Sequence, residues 1–109
     1  RKEHIAAIKK ASNKWQEWKG NPFTALTTYI QLIQEFGWPS WRSYLYSFSD
    51  PAFGPAPAND DDKRDQFLIR YSKIANKNLA PFFEAWGIPV SSAAKTAVEQ
   101  LEPWMPKGM

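Results

Sequence analysis

Apolar side chains recur along this chain at spacings of three and four, the period that places them on one face of an α-helix. Ile5, Ile8, Ala11, Trp15 and Trp18 form the first stripe and predict a helix over 2–19. Gly20 ends it, since a left-handed closing residue is least strained as glycine. Asn21-Pro22 reads as a cap followed by proline in the first turn, where its missing N–H is harmless. Phe23, Leu26, Ile30, Ile33 and Phe36 are the apolar stripe of the next helix, which Gly37 stops. Trp38-Pro39-Ser40 restarts the chain, and Trp41, Leu45 and Phe48, with Tyr44 beside them, predict a short third helix beginning at Pro39 or Ser40.

Residues 49–60 hold three Pro and one Gly in twelve positions and are predicted to be the longest irregular loop, a candidate contact segment. Asp60, Asp61 and Asp62 follow it. They read as the negative first turn of a helix, where they favour the positive end of the macrodipole. A calcium loop would need spaced oxygens, a glycine turn and a distal Glu. The fourth helix is expected over Asp62 to Asn76, with Phe67, Leu68, Tyr71, Ile74 and Ala75 as its stripe. After the turn Asn76-Lys77-Asn78, residues Leu79, Phe82, Phe83 and Trp86 predict a brief, very apolar helix with Pro81 in its first turn and Gly87 at its close. Ile88-Pro89-Val90 is an extended link, because proline pushes its predecessor out of helix. Ser91 or Ser92 caps a last helix to about Glu102, with Ala94, Val98 and Leu101 inward, and Trp104-Met105-Pro106 is an apolar tail expected to fold back.

Strand-like alternation does not occur. The expected fold is all-α, a single domain over 1–109 built as a compact bundle of five to six short helices, with sequential neighbours roughly antiparallel.

Composition narrows the chemistry. The 109 residues include six Trp, one His and no Cys. Disulfide frameworks, thiolate zinc sites and Cys nucleophiles are therefore excluded, and so is a site needing two His ligands from this chain alone. The net charge of +3 is concentrated in residues 1–20, which carry six Lys or Arg against two Glu. Lys9, Lys10 and Lys14 lie opposite the first apolar stripe and read as a solvated helix face rather than a nucleic-acid or lipid patch. No stretch is long and apolar enough for a membrane span.

His4 reads as a surface residue near a helix end, adjacent to Glu3 but pointing elsewhere. Glu35 and Glu84 stand among aromatics near helix ends, where surface roles are expected. Ser and His with an acid occur in no recognisable nucleophile context, and no glycine-rich phosphate loop is present. The tryptophans are expected mainly in the core, each covering a large area. Trp38 and Trp104 flank boundaries and are the expected exceptions; with Phe53 of the 49–60 loop they are the candidate ligand or partner contacts.

The block Asn78-Leu79-Ala80-Pro81-Phe82-Phe83-Glu84-Ala85-Trp86-Gly87-Ile88-Pro89-Val90-Ser91 resembles the C-terminal signature of enhancin-like, gluzincin-type zinc metallopeptidases. The run from Tyr29 to Phe36-Gly37-Trp38 is also similar to that family, as are Phe67, Tyr71-Ser72-Lys73-Ile74 and the closing Leu101-Glu102-Pro103-Trp104. The same blocks resemble the TRP-channel-associated factors, eukaryotic relatives with an enhancin-like domain. The matching positions Phe36, Gly37, Asn78, Leu79, Pro81, Phe82, Phe83, Trp86, Gly87 and Pro89 are structural, and no catalytic or metal residue carries over.

The resemblance implies an excised C-terminal helical lobe of a larger peptidase domain, consistent with an opening at Arg1 rather than Met. It implies zinc held by a His-Glu-x-x-His helix in the parent and no cofactor in this segment. It further implies the rest of the parent domain as partner, a mucin or other glycoprotein as the parent's substrate, and a secreted or cell-surface location. A non-catalytic protein-interaction module and a carbohydrate-binding module using exposed Trp are the rival readings.

Overall fold

A computed structural model describes residues 2–106. Its helices begin and end where side chains and backbone satisfy the groups that a helix leaves unpaired. Helix α1 spans Lys2–Lys10 and α2 spans Lys14–Gly20. The single helix expected over 2–19 is thus broken at 11–13. Asn13 is the cause: its backbone is extended and its side chain accepts the Gln16 N–H at 3.2 Å, capping a new helix.

Helix α3, Pro22–Phe36, starts on Asn21, whose Oδ1 accepts the Phe23 N–H at 3.0 Å. It stops at Gly37, which has φ of 85° and donates its N–H to Ile33 O at 2.7 Å. Helix α4, Trp38–Ser47, follows with no linker and begins at Trp38, just ahead of the expected Pro39 or Ser40.

A 3-10 turn at Pro51–Phe53, capped by Asp50, is the regular part of the 49–60 loop. Helix α5, Asp60–Ala75, starts earlier than the expected Asp62 because Asn59 caps it, accepting the Asp62 N–H at 2.8 Å. All three aspartates stand in its first turn. Asn76 closes it in the left-handed region, at φ of 56°. Helices α6, Ala80–Trp86, and α7, Ser92–Val98, complete the fold. Helix α7 ends short of the expected Glu102: Glu99 N–H turns to Thr96 O and Leu101 N–H to Val98 O, tightening the chain into turns.

Seven α-helices and no strand occur among the described residues, apart from one isolated parallel bridge, Asn78 to Pro103. The all-α bundle stands, with the break at Asn13 supplying the additional helix.

The core is aromatic at its centre. Phe67 and Tyr71 of α5 meet Tyr44 of α4, and Phe67 packs edge-on to Phe83 at 4.8 Å between ring centres. Phe82, Phe83 and Trp86 of α6 are fully buried, with Ile8, Leu32, Leu68, Leu79 and Val98. Each such side chain contributes roughly 1.5–3 kcal/mol relative to exposure. Trp104 packs on Phe36 and Phe82 at 5.0 and 5.2 Å. The tail thus folds back as expected, but Trp104 is half-buried and is no exception to core packing. Trp38, at 61% exposed, is one.

One stripe departs from the pattern. The start of the expected apolar face of α3 points away from the bundle, with Phe23 and Leu26 exposed, while Thr24, Thr27 and Thr28 lie buried beside Leu32; its end, Phe36, packs on the core.

Candidate functional site

The signature residues assemble at the junction of α5, α6 and the tail. Asn78 holds three strands of contact at once. Its Oδ1 accepts the Ala80 N–H at 2.9 Å, its N–H donates to Glu102 O at 2.8 Å, and its carbonyl accepts the Trp104 N–H at 3.1 Å. Leu79 N–H donates to Ser72 Oγ at 3.2 Å. Pro81 occupies the first turn of α6, and Trp86 Nε1 donates to Gln31 Oε1 of α3 at 2.8 Å. Gly87 closes α6 at φ of 75° and lies so near Lys14 that a Cβ would stand 2.1 Å from Lys14 Cβ. The exposed Pro89 offers its carbonyl to Arg64 Nε at 3.0 Å. These residues fasten α6 to α2, α3, α5 and the tail.

The candidate contact residues are not brought together. Phe53 lines a cleft of about 670 Å³ between α4, the 3-10 turn and α5, with Tyr46, Asp50 and Ile74. Trp104 lines a second cleft, with Gln31, Gln34, Glu35 and Met105. Trp38 lines neither and stands exposed at the start of α4. A third cleft, between α5 and the link to α7, holds Asp61, Arg64, Asp65 and Pro89.

Beside the cleft lined by Phe53 lies a residue that the apolar pattern does not single out. Arg70 is buried to 1% exposure and is held by neutral acceptors. Its Nε and Nη2 donate to Gln66 Oε1, its Nη1 to the carbonyl and hydroxyl of Ser47, and its Nη2 to Pro55 O. The guanidinium lies over Phe48 at 4.3 Å and near Phe53 at 5.8 Å. Gln66 Nε2 donates in turn to Asp62, which also accepts the Ala58 N–H. Asp62, Gln66 and Arg70 therefore form a ladder at i, i+4 and i+8 along α5 that fixes the 49–60 loop. The spacing was visible in the sequence; what marks it is polar residues repeating on a face that should be apolar.

Burial raises the pKa of Tyr29, Tyr44 and Tyr71, most strongly for Tyr44, where the neighbouring tyrosines add to desolvation and Arg70 opposes it. A hydrogen bond of 2.6 Å between Tyr71 Oη and Ser40 Oγ partly offsets the effect at Tyr71.

A model of the family described as peptidase M60, enhancin and enhancin-like, matches residues 1–87. The chain belongs to the enhancin-like family. Among curated relatives, TRPM8 channel-associated factor 3 of Mus musculus is 37% identical over 98 residues, 89% of this chain and 10% of the relative. The Rattus norvegicus factor 3 is 34% identical over 99% of this chain and 11% of its own length. The Danio rerio homolog is 32% identical over 84% of this chain and 9% of its own length. The chain thus spans about a tenth of these relatives. No solved structure matches it.

Enhancin-like peptidases imply zinc, and the residues here do not fit a zinc centre. His4 is half-buried and stacked on Phe23 at 6.0 Å. Among the described residues no group of three or more His, Asp or Glu could hold a metal ion. Glu84 is paired with Lys95 at 3.0 Å, and Glu35 lines the same cleft as Trp104.

Proposed function

We propose that this chain is the helical, non-catalytic lobe of an enhancin-like zinc peptidase domain. It buttresses the zinc-bearing part of the domain and shapes one wall of its cleft. The parent's substrates are mucin-type glycoproteins, met outside the cell or at its surface. One observation carries the reading: the family-signature residues Asn78, Leu79, Phe82, Phe83 and Trp86 are spent on the interior and its hydrogen bonds and line none of the three clefts, and Pro89, the signature residue that does line one, lends its carbonyl to Arg64. Residues fixed for packing support a neighbour; residues fixed for chemistry reach into a cavity.

The test is the coding sequence upstream of Arg1. A His-Glu-x-x-His helix motif there, with zinc-dependent cleavage of a glycoprotein by the whole protein, is the expected result. A parent lacking that motif overturns the peptidase claim.

A second reading has its own support. The relatives are named for association with the TRPM8 channel, and α4 presents Trp38 and Tyr46 largely uncovered. The same fold then serves as a protein-interaction module without catalysis. Capture of one defined partner by the 109-residue chain, lost in Trp38→Ala, would favour it.

A further inference from the structure

Along its first turns helix α3 directs polar residues inward and apolar ones outward, while Tyr29, Leu32 and Phe36 still pack on the core. Its polar row, Thr24, Thr27 and Thr28, faces the bundle and is buried, and Gln31 reaches in to Trp86 Nε1. Its apolar row faces away: Phe23 is 64% exposed, Leu26 50%, and Ile30 and Ile33 continue the row half-buried. Burial of threonines is tolerable because hydroxyls can bond within the helix. Thr27 Oγ1 donates to Phe23 O at 2.8 Å. Thr28 Oγ1 donates to Thr24 O at 3.1 Å and accepts Trp18 Nε1 at 2.9 Å. Thr24 Oγ1 is buried with no partner. The arrangement therefore gives up apolar burial on one side of α3 and strains polar satisfaction on the other.

Helices α3 and α4 also carry just two charged side chains between them, Glu35 and Arg42. Trp38, Leu45 and Tyr46 of α4 are more than half exposed. Apolar, charge-depleted surface of this kind marks a contact. Its composition is that of a core cut in half rather than of a transient interface, whose rim is polar and charged. A permanent contact of that type is most readily met by a segment tethered in the same polypeptide, at high effective concentration. Relatives about ten times longer than this segment have ample chain to supply one.

We infer that the row Phe23–Leu26–Ile30–Ile33 is an interior face of a larger enhancin-like domain, covered by an apolar, uncharged segment of the same polypeptide outside these 109 residues. The inference rests on the reading of the chain as a lobe of a longer domain, and adds which face the rest of that domain covers.

The experiment compares the 109-residue chain with the full-length protein that carries it. In both, the wild-type side chains Phe23, Leu26 and Trp38 are footprinted by radical labelling with mass readout. Expected is strong labelling of Phe23 and Leu26 in the short chain and a several-fold loss of labelling in the long one. Phe23→Glu with Leu26→Glu, both at exposed positions, is expected to change the melting temperature of the short chain little and to lower that of the full-length protein. Equal labelling in both, with a single cooperative melt of the full-length protein, overturns the face while leaving the lobe reading intact. Equal labelling with two independent melts overturns the lobe reading itself. A dimer of the short chain that the double variant dissolves, without added protection in the long protein, also overturns the inference by making a second copy the occupant.

Discussion

The Asp65 carboxylate grips Ser91 twice, accepting its backbone N–H on Oδ1 at 2.8 Å and its hydroxyl on Oδ2 at 2.6 Å. Ser91 Oγ in turn accepts the Ala94 N–H at 3.1 Å, capping α7. One side chain of α5 therefore sets where α7 begins. Asp65→Ala is expected to lower stability by about 1 kcal/mol, since the contact is solvent-accessible. Ser91→Ala should lose a similar amount, and the pair together less than the sum, because each removes the same link. Urea denaturation of the four proteins checks the cycle; strict additivity would contradict it.

Arg70 donates five hydrogen bonds to neutral acceptors in the interior. Replacing it with Met leaves the Ser47 and Pro55 carbonyls without their donor and frees the 49–60 loop. The expected loss is about 3 kcal/mol, in the range for breaking a buried charged network. Arg70→Lys should fall between, since a point charge cannot reproduce the fork. Limited proteolysis reads the loop directly: cleavage within 52–58 accelerates in Arg70→Met and less in Arg70→Lys.

Gly87 and Asn76 both adopt positive φ, at 75° and 56°, but in different surroundings. A Cβ on Gly87 collides with Lys14, so Gly87→Ala is expected to lose 2 kcal/mol or more, roughly the sum of strain and displacement of α2. Asn76→Gly relieves a non-glycine residue of that conformation and should change stability by less than about 1 kcal/mol. Thermal unfolding of the two variants separates backbone strain from the clash.

Tyr29, Tyr44 and Tyr71 have pKa values raised by burial, so folding favours their neutral forms. The unfolded chain ionises its tyrosines near pH 10. Below that pH the native preference leaves stability unchanged. Above it the unfolded state gains phenolates that the native state resists, and stability falls as pH climbs toward the raised native values. Phenolate absorbance followed alongside circular dichroism checks this: ionisation of Tyr29, Tyr44 and Tyr71 should coincide with loss of helix. Free titration of these three in a folded protein would contradict it.

Helix starts were well marked in the sequence wherever a cap residue preceded an apolar period, as at Asn21 and Ser91. Asn13 carries the same chemistry, but the stripe from Ile5 to Trp18 runs unbroken across it, and periodicity hides a cap that leaves the apolar face in phase. The direction of α3 was illegible for another reason. Spacing identifies a stripe but not what lies against it, and threonines that bond within the helix, as Thr27 and Thr28 do, can replace apolar residues in the interior. Trp104 looked like a free boundary aromatic until the Asn78 bonds brought it onto Phe36 and Phe82, a contact between distant parts of the chain that no local signal encodes. The same holds for Arg70, whose acceptors at Ser47 and Pro55 lie 23 and 15 residues away.

The clasp at Asn78 separates the bounds of the family match from mechanical ones. The family match closes at residue 87, yet Glu102 and Trp104 complete the backbone pairing of Asn78, and Ala94 and Val98 are buried beyond that limit. A polypeptide trimmed at residue 87 would lose the roof over Phe82 and expose α6, whose Phe82, Phe83 and Trp86 are fully buried. Its insolubility would then report a misplaced cut rather than an unstable fold.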